Sequence, residues 1–157
     1  MVYDLVVIGG GAAGFFGALQ AAEMKGDLKI LIVEKSPRLL SKVRISGGGR
    51  CNVTHSCFEA KKLSGHYPRG GKALRQIFRV FQASDVVNWF QTKGVMLKTE
   101  NDGRMFPETD DSQTIIDCFL REAHRHGIRI QTGNGVERIV KDSGVFRLSL
   151  INGEQVF

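Results

Sequence analysis

A chain of 157 residues, 42% hydrophobic and 24% charged, has the length of one domain and enough apolar content to bury a core, which excludes a disordered tail. Its formal net charge of +6 raises nucleic acid as a partner, but the cations read as spread along the chain with one concentration at Arg69, Lys72, Arg75 and Arg79. No RNP, zinc-finger or helix-turn-helix signature accompanies them, so a solvated helix face is the expected use and nucleic acid is not an expected partner. No apolar run reaches the length of a membrane span, no basic leader precedes the first strand, and three cysteines are too few for a secreted disulfide framework; the expected setting is soluble and cytoplasmic, with reduced thiols.

The first element is a strand of buried type at residues 3–8. It breaks at Gly9, Gly10, Gly11, Ala12, Ala13 and Gly14, continues as an Ala-rich helix to about Lys25, turns at Gly26 and Asp27, and returns as a second apolar strand, residues 29–33, ending on Glu34. A glycine-rich turn between strand and helix, followed by a second strand and an acid, is the dinucleotide-binding βαβ fingerprint in its full context. Gly9 suits the tight turn out of the strand, Gly11 lets backbone approach a pyrophosphate, and Gly14 lets the helix lie on the sheet. The helix start at Ala12 and Ala13 offers N–H groups and the positive end of a dipole to phosphates. Glu34, with Lys35 beside it, is placed for a ribose; a carboxylate there repels the 2′-phosphate of NADP, although Lys35 and Arg38 soften that objection.

After a turn at residues 35–38 comes SKVRISGGGRCNVTH, residues 41–55. Three successive glycines, Gly47, Gly48 and Gly49, pack nothing and cost conformational entropy, so they mark a place where backbone approaches a ligand or other backbone. Lys42, Arg44 and Arg50 put positive charge beside them, and the flanking Ile45 and Val53 argue against a flexible linker. This string, with GGGAAG near the N-terminus and DGRMFPETDDS at residues 102–112, resembles the YhiN/BaiN-type flavoproteins, the aminoacetone oxidase family of FAD-binding enzymes, over essentially the whole chain. The resemblance implies FAD as cofactor, its pyrophosphate on the first glycine turn, its adenosine ribose on Glu34, and the second loop beside pyrophosphate and flavin. By that analogy Ser46, Gly47, Gly48, Gly49, Arg50, Cys51 and Asn52 become cofactor contacts, and Arg50 is placed to stabilise negative charge on a reduced flavin. Cys51 and Cys57 open an alternative, a dithiol flavin reductase; the spacing here is C-x5-C against C-x4-C in those enzymes, so a small buried side chain is the expected role of Cys57.

Residues 61–94 read as a helical excursion. KALRQIFRVFQ sets Leu74, Ile77, Phe78 and Phe81 at helical spacing; Ser84, with Asp85 in the first turn, is the expected N-cap of a second helix that ends at Gly94 and carries Trp89 and Phe90 into the core. Residues 95–110 look extended around a turn at Asn101, Asp102 and Gly103. Asp111 or Ser112 caps a helix over residues 113–125 that Gly127 stops. His124 and His126 at its end lack further ligands, as do His55 and His66, so no metal site is expected. A short strand at residues 128–131 reads as the third parallel strand, alongside the first. Residues 136–140, 145–150 and 154–157 then alternate across turns at 142–144 and 152–153 as an antiparallel meander.

Three parallel strands and such a meander look like the FAD-binding half of glutathione-reductase-type flavoproteins, where backbone at the position of Val136 meets the adenine. The expected fold is an α/β, Rossmann-like FAD-binding domain of that type with a helical insertion: fingerprint at 3–34, glycine loop at 41–55, excursion at 61–94, and return helix, strand and meander at 111–157. Relatives of this type continue with a further strand, an ATGG-like turn and a substrate domain, so residues 1–157 are expected to be the N-terminal part of such a domain, incomplete at the C-terminus, with the last strand leaving an unpaired edge. The function implied is FAD binding in a flavin-dependent oxidoreductase that acts on a small-molecule substrate or electron donor or acceptor. A non-catalytic dinucleotide-binding module and a flavin enzyme acting on RNA stay open, and no catalytic residue is assigned.

Overall fold

In chain order the elements are β1 (Leu5–Ile8), α1 (Ala12–Met24), β2 (Ile30–Val33), α2 (Ser41–Ile45), a short 3-10 turn (Ser46–Gly49), β3 (Thr54–His55), α3 (Ala60–Gly65), α4 (Gly71–Ile77), α5 (Ala83–Thr92), β4 (Leu97–Thr99), β5 (Arg104–Pro107), α6 (Ser112–Arg125), β6 (Arg129–Gln131), β7 (Val136–Asp142), β8 (Val145–Leu150) and β9 (Gln155–Val156). This is a computed structural model; it describes residues 1–157, which form two compact units, Met1–Val43 with Ile116–Phe157, and Arg44–Ile115.

The first unit holds a parallel sheet in the order β1-β2-β6. All four residues of β2 are buried, as a strand flanked on both edges requires, whereas β1 is half-buried and its last residue, Ile8, is exposed. Residues 128–131 therefore join the sheet beside β2, with Ile32 opposite Ile130, and not alongside β1 as expected from the sequence. On α1, Phe15, Ala18, Leu19 and Ala22 recur at i, i+3, i+4 and i+7 and are buried; the Phe15 ring meets Phe119 of α6 at 5.9 Å. Asp111 accepts the Gln113 N–H at 2.8 Å at the start of α6, and Gly127, at φ +64, ends it with the Ile128 N–H on the Ala123 carbonyl at 2.9 Å.

The meander β7-β8-β9 is antiparallel, its first hairpin closed by Ser143 and Gly144, both at positive φ. Leu148, Leu150 and Val156 pack with Leu31 and Val33 in one buried cluster, against which Tyr3, Val6 and Val136 also lie. The last strand is not left bare: β9 pairs with β8, and Phe157 exchanges hydrogen bonds with Tyr3 (2.7 Å) and Met1 (3.1 Å). The free edge falls instead on β1, beside a groove of about 620 Å³ bordered by exposed Val2, Ile8, Ile139 and Phe146.

The second unit contains α3, α4 and α5 and, beyond the helices read from sequence, a small antiparallel sheet in the order β3-β5-β4. Its core includes Trp89 and Phe90, with rings edge-to-face at 5.0 Å, together with Leu97, Met105 and Phe106. Helix α5 starts one residue before Ser84: Gln82 is the N-cap, its N–H donating to Asp85 Oδ2 at 2.8 Å, because an acid at the third helical position reaches back to exactly that group and not to Ser84. Helix α4 stops at Ile77, which leaves that side chain exposed while Leu74, Phe78 and Phe81 are half-buried.

Candidate functional site

The predicted residues fall in both units: Gly9 to Gly14, Glu34, Lys35, Lys42 and Val136 in the first, Ser46 to Asn52 in the second. In the first, Gly9 leaves β1 at φ +108 and its N–H donates to the Val33 carbonyl at 2.8 Å. The first intrahelical bond of α1 runs from Phe15 N–H to the Gly11 carbonyl at 3.0 Å, so the N–H groups of Ala12, Ala13 and Gly14 have no acceptor within the helix. The N-cap, Gly11, supplies no side-chain acceptor. These donors border a cavity of about 540 Å³ formed by residues 8–14, Glu34, Arg38 and residues 40–43.

A Cβ at each glycine would meet different surroundings. At Gly14 it would stand 2.0 Å from the Gly9 carbonyl oxygen, so the absence of a side chain is what lets α1 lie on β1. At Gly11 it would meet nothing within 4 Å and would project into open space at the helix start. The helix start is thus a cradle of backbone donors with room in front of it, which fits a pyrophosphate.

Glu34 closes the far side. Its carboxylate accepts the Gly10 N–H at 2.7 Å and the Ser36 N–H at 2.8 Å. These two bonds, the Ser36 one foremost, hold its carboxyl below the usual carboxylate range. Each oxygen keeps a lone pair for a ribose hydroxyl. Lys42 and Arg38 line the cavity; Arg38, together with Leu40 and Ser41, was not assigned to the site from sequence. Leu40 sits at φ +54, held by its N–H on the Gly10 carbonyl at 2.9 Å, a backbone shape that no local pattern announces. Lys35 and Val136 do not line the cavity. The chain just before Val136 nonetheless runs beside Glu34 and Lys35: a Cβ on Gly135 would lie 3.1 Å from Lys35 Cβ, and the Asn134 N–H donates to the Glu34 carbonyl at 3.1 Å. Asn134 is buried and its Nδ2 has no partner in the protein.

In the second unit the glycine loop folds on itself. Gly47, Gly48 and Gly49 all have positive φ, as does Cys51 at +64. The N–H groups of Arg50 and Cys51 both donate to the Ser46 carbonyl. A Cβ on Gly47 would stand 2.7 Å from the Phe106 ring and 2.9 Å from Asn52 N, whereas at Gly48 and Gly49 it would meet nothing within 4 Å. Arg50 is paired with Glu100, lies 3.5 Å from Asp110, and stacks 4.0 Å over the Phe106 ring. Lys98, and then Arg50, hold Asp110 below the usual carboxylate range. The guanidinium charge is thus matched by carboxylates of its own unit. Asn52 is exposed beside the loop. The three cysteines are free, and burial pushes the Cys51 thiol up, away from the thiolate a dithiol reductase would use. Nothing in this geometry favours that alternative.

Residues 3–157 match the HI0933-like protein Rossmann domain family. The chain is 29% identical over 133 residues to the 3-dehydro-bile acid delta(4,6)-reductase of Clostridium scindens, covering 85% of this chain and 32% of that protein. It is 28% identical over 154 residues to the ribosomal RNA dihydrouridine synthase of Escherichia coli, covering 98% of this chain and 37% of that one. It thus spans about a third of the length of these curated relatives. Among solved structures, 3-ketosteroid-delta4-(5alpha)-dehydrogenase from Rhodococcus jostii RHA1 shares its fold with a TM-score of 0.73 at 16% identity, over 99% of this chain and 43% of that one. No helix is long and apolar enough to cross a membrane.

Proposed function

The chain belongs to the HI0933-like Rossmann-domain family, its cofactor is FAD, and we propose that it is the cofactor-holding part of a reductase for carbon–carbon double bonds activated by a neighbouring carbonyl. The activities of the two relatives described above support this substrate class. A delta(4,6) system in a 3-dehydro steroid and the 5,6-bond of a uracil ring are both alkenes conjugated to a carbonyl, which accept hydride at the β-carbon and a proton at the α-carbon. FAD, when bound, supplies the two-electron chemistry of such a reduction.

This chain's own part is to bind and orient. The uncapped N–H groups of Ala12, Ala13 and Gly14, with the α1 dipole behind them, hold the diphosphate; Lys42 and Arg38 add positive charge to the same cavity. Glu34 takes the adenosine ribose with the lone pairs that Gly10 and Ser36 leave, and Lys35 flanks it. Backbone at Val136, with the unpartnered Nδ2 of Asn134 two residues away, serves the adenine. The loop from Ser46 through Gly47, Gly48, Gly49 and Arg50 to Cys51 and Asn52 is assigned to cofactor contacts as well, with the open face at Gly48 and Gly49 giving a ligand room, while Arg50 anchors that loop to Glu100. Three free thiols suit a reducing compartment, so the reaction is assigned to the cytoplasm.

The observation that carries the cofactor site is the open helix start facing the 540 Å³ cavity. Absorbance of the purified chain, before and after incubation with FAD and desalting, tests it: a retained flavin band that Gly11→Trp abolishes is the expected result, and a colourless protein that binds no FAD overturns the assignment.

A further inference from the structure

The whole of the chain's positive excess sits in one place. Residues 60–84 carry six of the 22 lysines and arginines and none of the 16 acidic residues, so the rest of the chain is balanced and the net +6 belongs to this segment alone. Lys61, Lys62, Arg69, Lys72, Arg75 and Arg79 are all exposed. Lys62 pairs with Glu59 at 2.9 Å, and the other five make no ion pair.

Folding turns this charge into a shaped surface. Helices α3 and α4 are brought together at Gly71, where a Cβ would stand 2.6 Å from the Ser64 carbonyl oxygen. Between them runs a groove of about 510 Å³ lined by Lys61, Lys72 and Arg75, with Tyr67 in the same wall. Tyr67 is 45% exposed, and its ring is steadied by Phe78, ring centroids 5.6 Å apart. Five unmatched cations cost self-repulsion that a merely solvated face relieves by interspersing acids; here no acid is interspersed. A concave row of cations beside an exposed, braced aromatic ring is what an unpaired nucleotide strand needs: charge for successive phosphates and a flat face for a base.

We propose that the α3–α4 groove binds single-stranded RNA, with Lys61, Lys72 and Arg75 on its phosphates and Tyr67 stacked on a base. This rests on the reductase reading only in making that RNA the bearer of the reduced alkene, a uracil ring; binding itself does not depend on flavin. An anionic membrane is the less suitable occupant. Ile77 and Val80 are exposed nearby, but two apolar side chains, one at the end of the seven-residue α4 and one in the turn after it, offer too little area to enter a lipid interface.

The experiment is fluorescence anisotropy of a labelled oligouridylate titrated with the 157-residue chain at several salt concentrations, with flavin absorbance read on the same samples. Three phosphate contacts on a single strand predict that Kd rises about twentyfold between 50 and 200 mM salt, and Lys72→Ala with Arg75→Ala reduces that rise to about threefold while weakening binding at low salt. Tyr67→Leu weakens binding about tenfold and leaves the salt dependence unchanged. Lys141→Ala, which removes a cation of the meander, changes neither. RNA binding that is absent, or that the groove variants leave intact, overturns the surface, and so does sedimentation of the chain with phosphatidylglycerol vesicles in place of RNA binding. A sample that binds RNA in this pattern but holds no FAD upholds the groove and sinks the reductase reading instead.

Discussion

The chain carries two glycine-rich segments, with four glycines in residues 9–14 and three in residues 46–52, and the structure uses them in opposite ways. In residues 9–14 the glycines keep backbone donors free: Gly14 lets α1 seat on β1, and the helix start is left without a cap, facing open space at Gly11. In residues 46–52 the donors are turned inward, two N–H groups on the Ser46 carbonyl, and the single cation is matched by Glu100 and Asp110. The first segment is shaped to receive an anion, the second to hold a rigid turn whose outer face alone is free. A glycine count does not distinguish these uses; the destination of each N–H does.

Substitutions separate them by size of effect. Gly14→Val drives a side chain into the Gly9 carbonyl, a contact of 2.0 Å already at Cβ, and is expected to cost about 3 kcal/mol or more and to abolish flavin retention, read by thermal denaturation and absorbance. Gly47→Ala combines φ +57 with a 2.7 Å approach to the Phe106 ring and is expected to cost about 2–3 kcal/mol; Gly48→Ala, at φ +71 with nothing nearby, is expected to cost about 1 kcal/mol. Equal losses for the two would show that packing against Phe106 plays no part in fixing the second loop.

Glu34 ties the first segment together, and its ionisation gives a pH signature. The Ser36 and Gly10 N–H groups hold its carboxyl low, so the stability it contributes is present above the ordinary Glu range near pH 4 and is lost as pH falls through the depressed value. Glu34→Ala leaves both N–H groups unanswered and is expected to cost about 1–2 kcal/mol and to weaken FAD binding. Urea titrations at neutral and acid pH check this: the gap between the variant and the parent should narrow on acidification, and a gap that widens would contradict the assignment.

What was legible in the sequence was local. Strand, glycine turn, helix, strand and acid follow one another within residues 3–34, and the meander announces itself by alternation and by Ser143-Gly144, so both could be placed from spacing alone. What was not legible depends on partners far along the chain. Thr54 pairs with Met105, and Arg50 meets Glu100, across some fifty residues of chain. The neighbour of β6 was misassigned because an apolar run does not say which side of β2 remains open. Leu40, left-handed and locked to Gly10, and the Arg38 that lines the same cavity follow from the path of the turn after β2, for which the sequence offers only a proline and a serine.

The smallest structural effect is the most informative about ligand. Gly11 has an ordinary extended backbone, φ −92 and ψ −177, and a Cβ there touches no protein atom. Gly11→Ala therefore loses only the modest N-cap preference of glycine over alanine, about 0.5 kcal/mol, and thermal denaturation of the free chain should scarcely move. If the space in front of α1 is where a pyrophosphate rests against backbone, the same methyl group pushes it away from the Ala12, Ala13 and Gly14 N–H groups, and FAD affinity measured by flavin fluorescence quenching should fall at least about tenfold, the worth of roughly one charge-assisted hydrogen bond. Unchanged affinity with unchanged stability would mean that the cavity is not the pyrophosphate site, and the second loop, with its open Gly48 and Gly49 face, would have to carry that role alone.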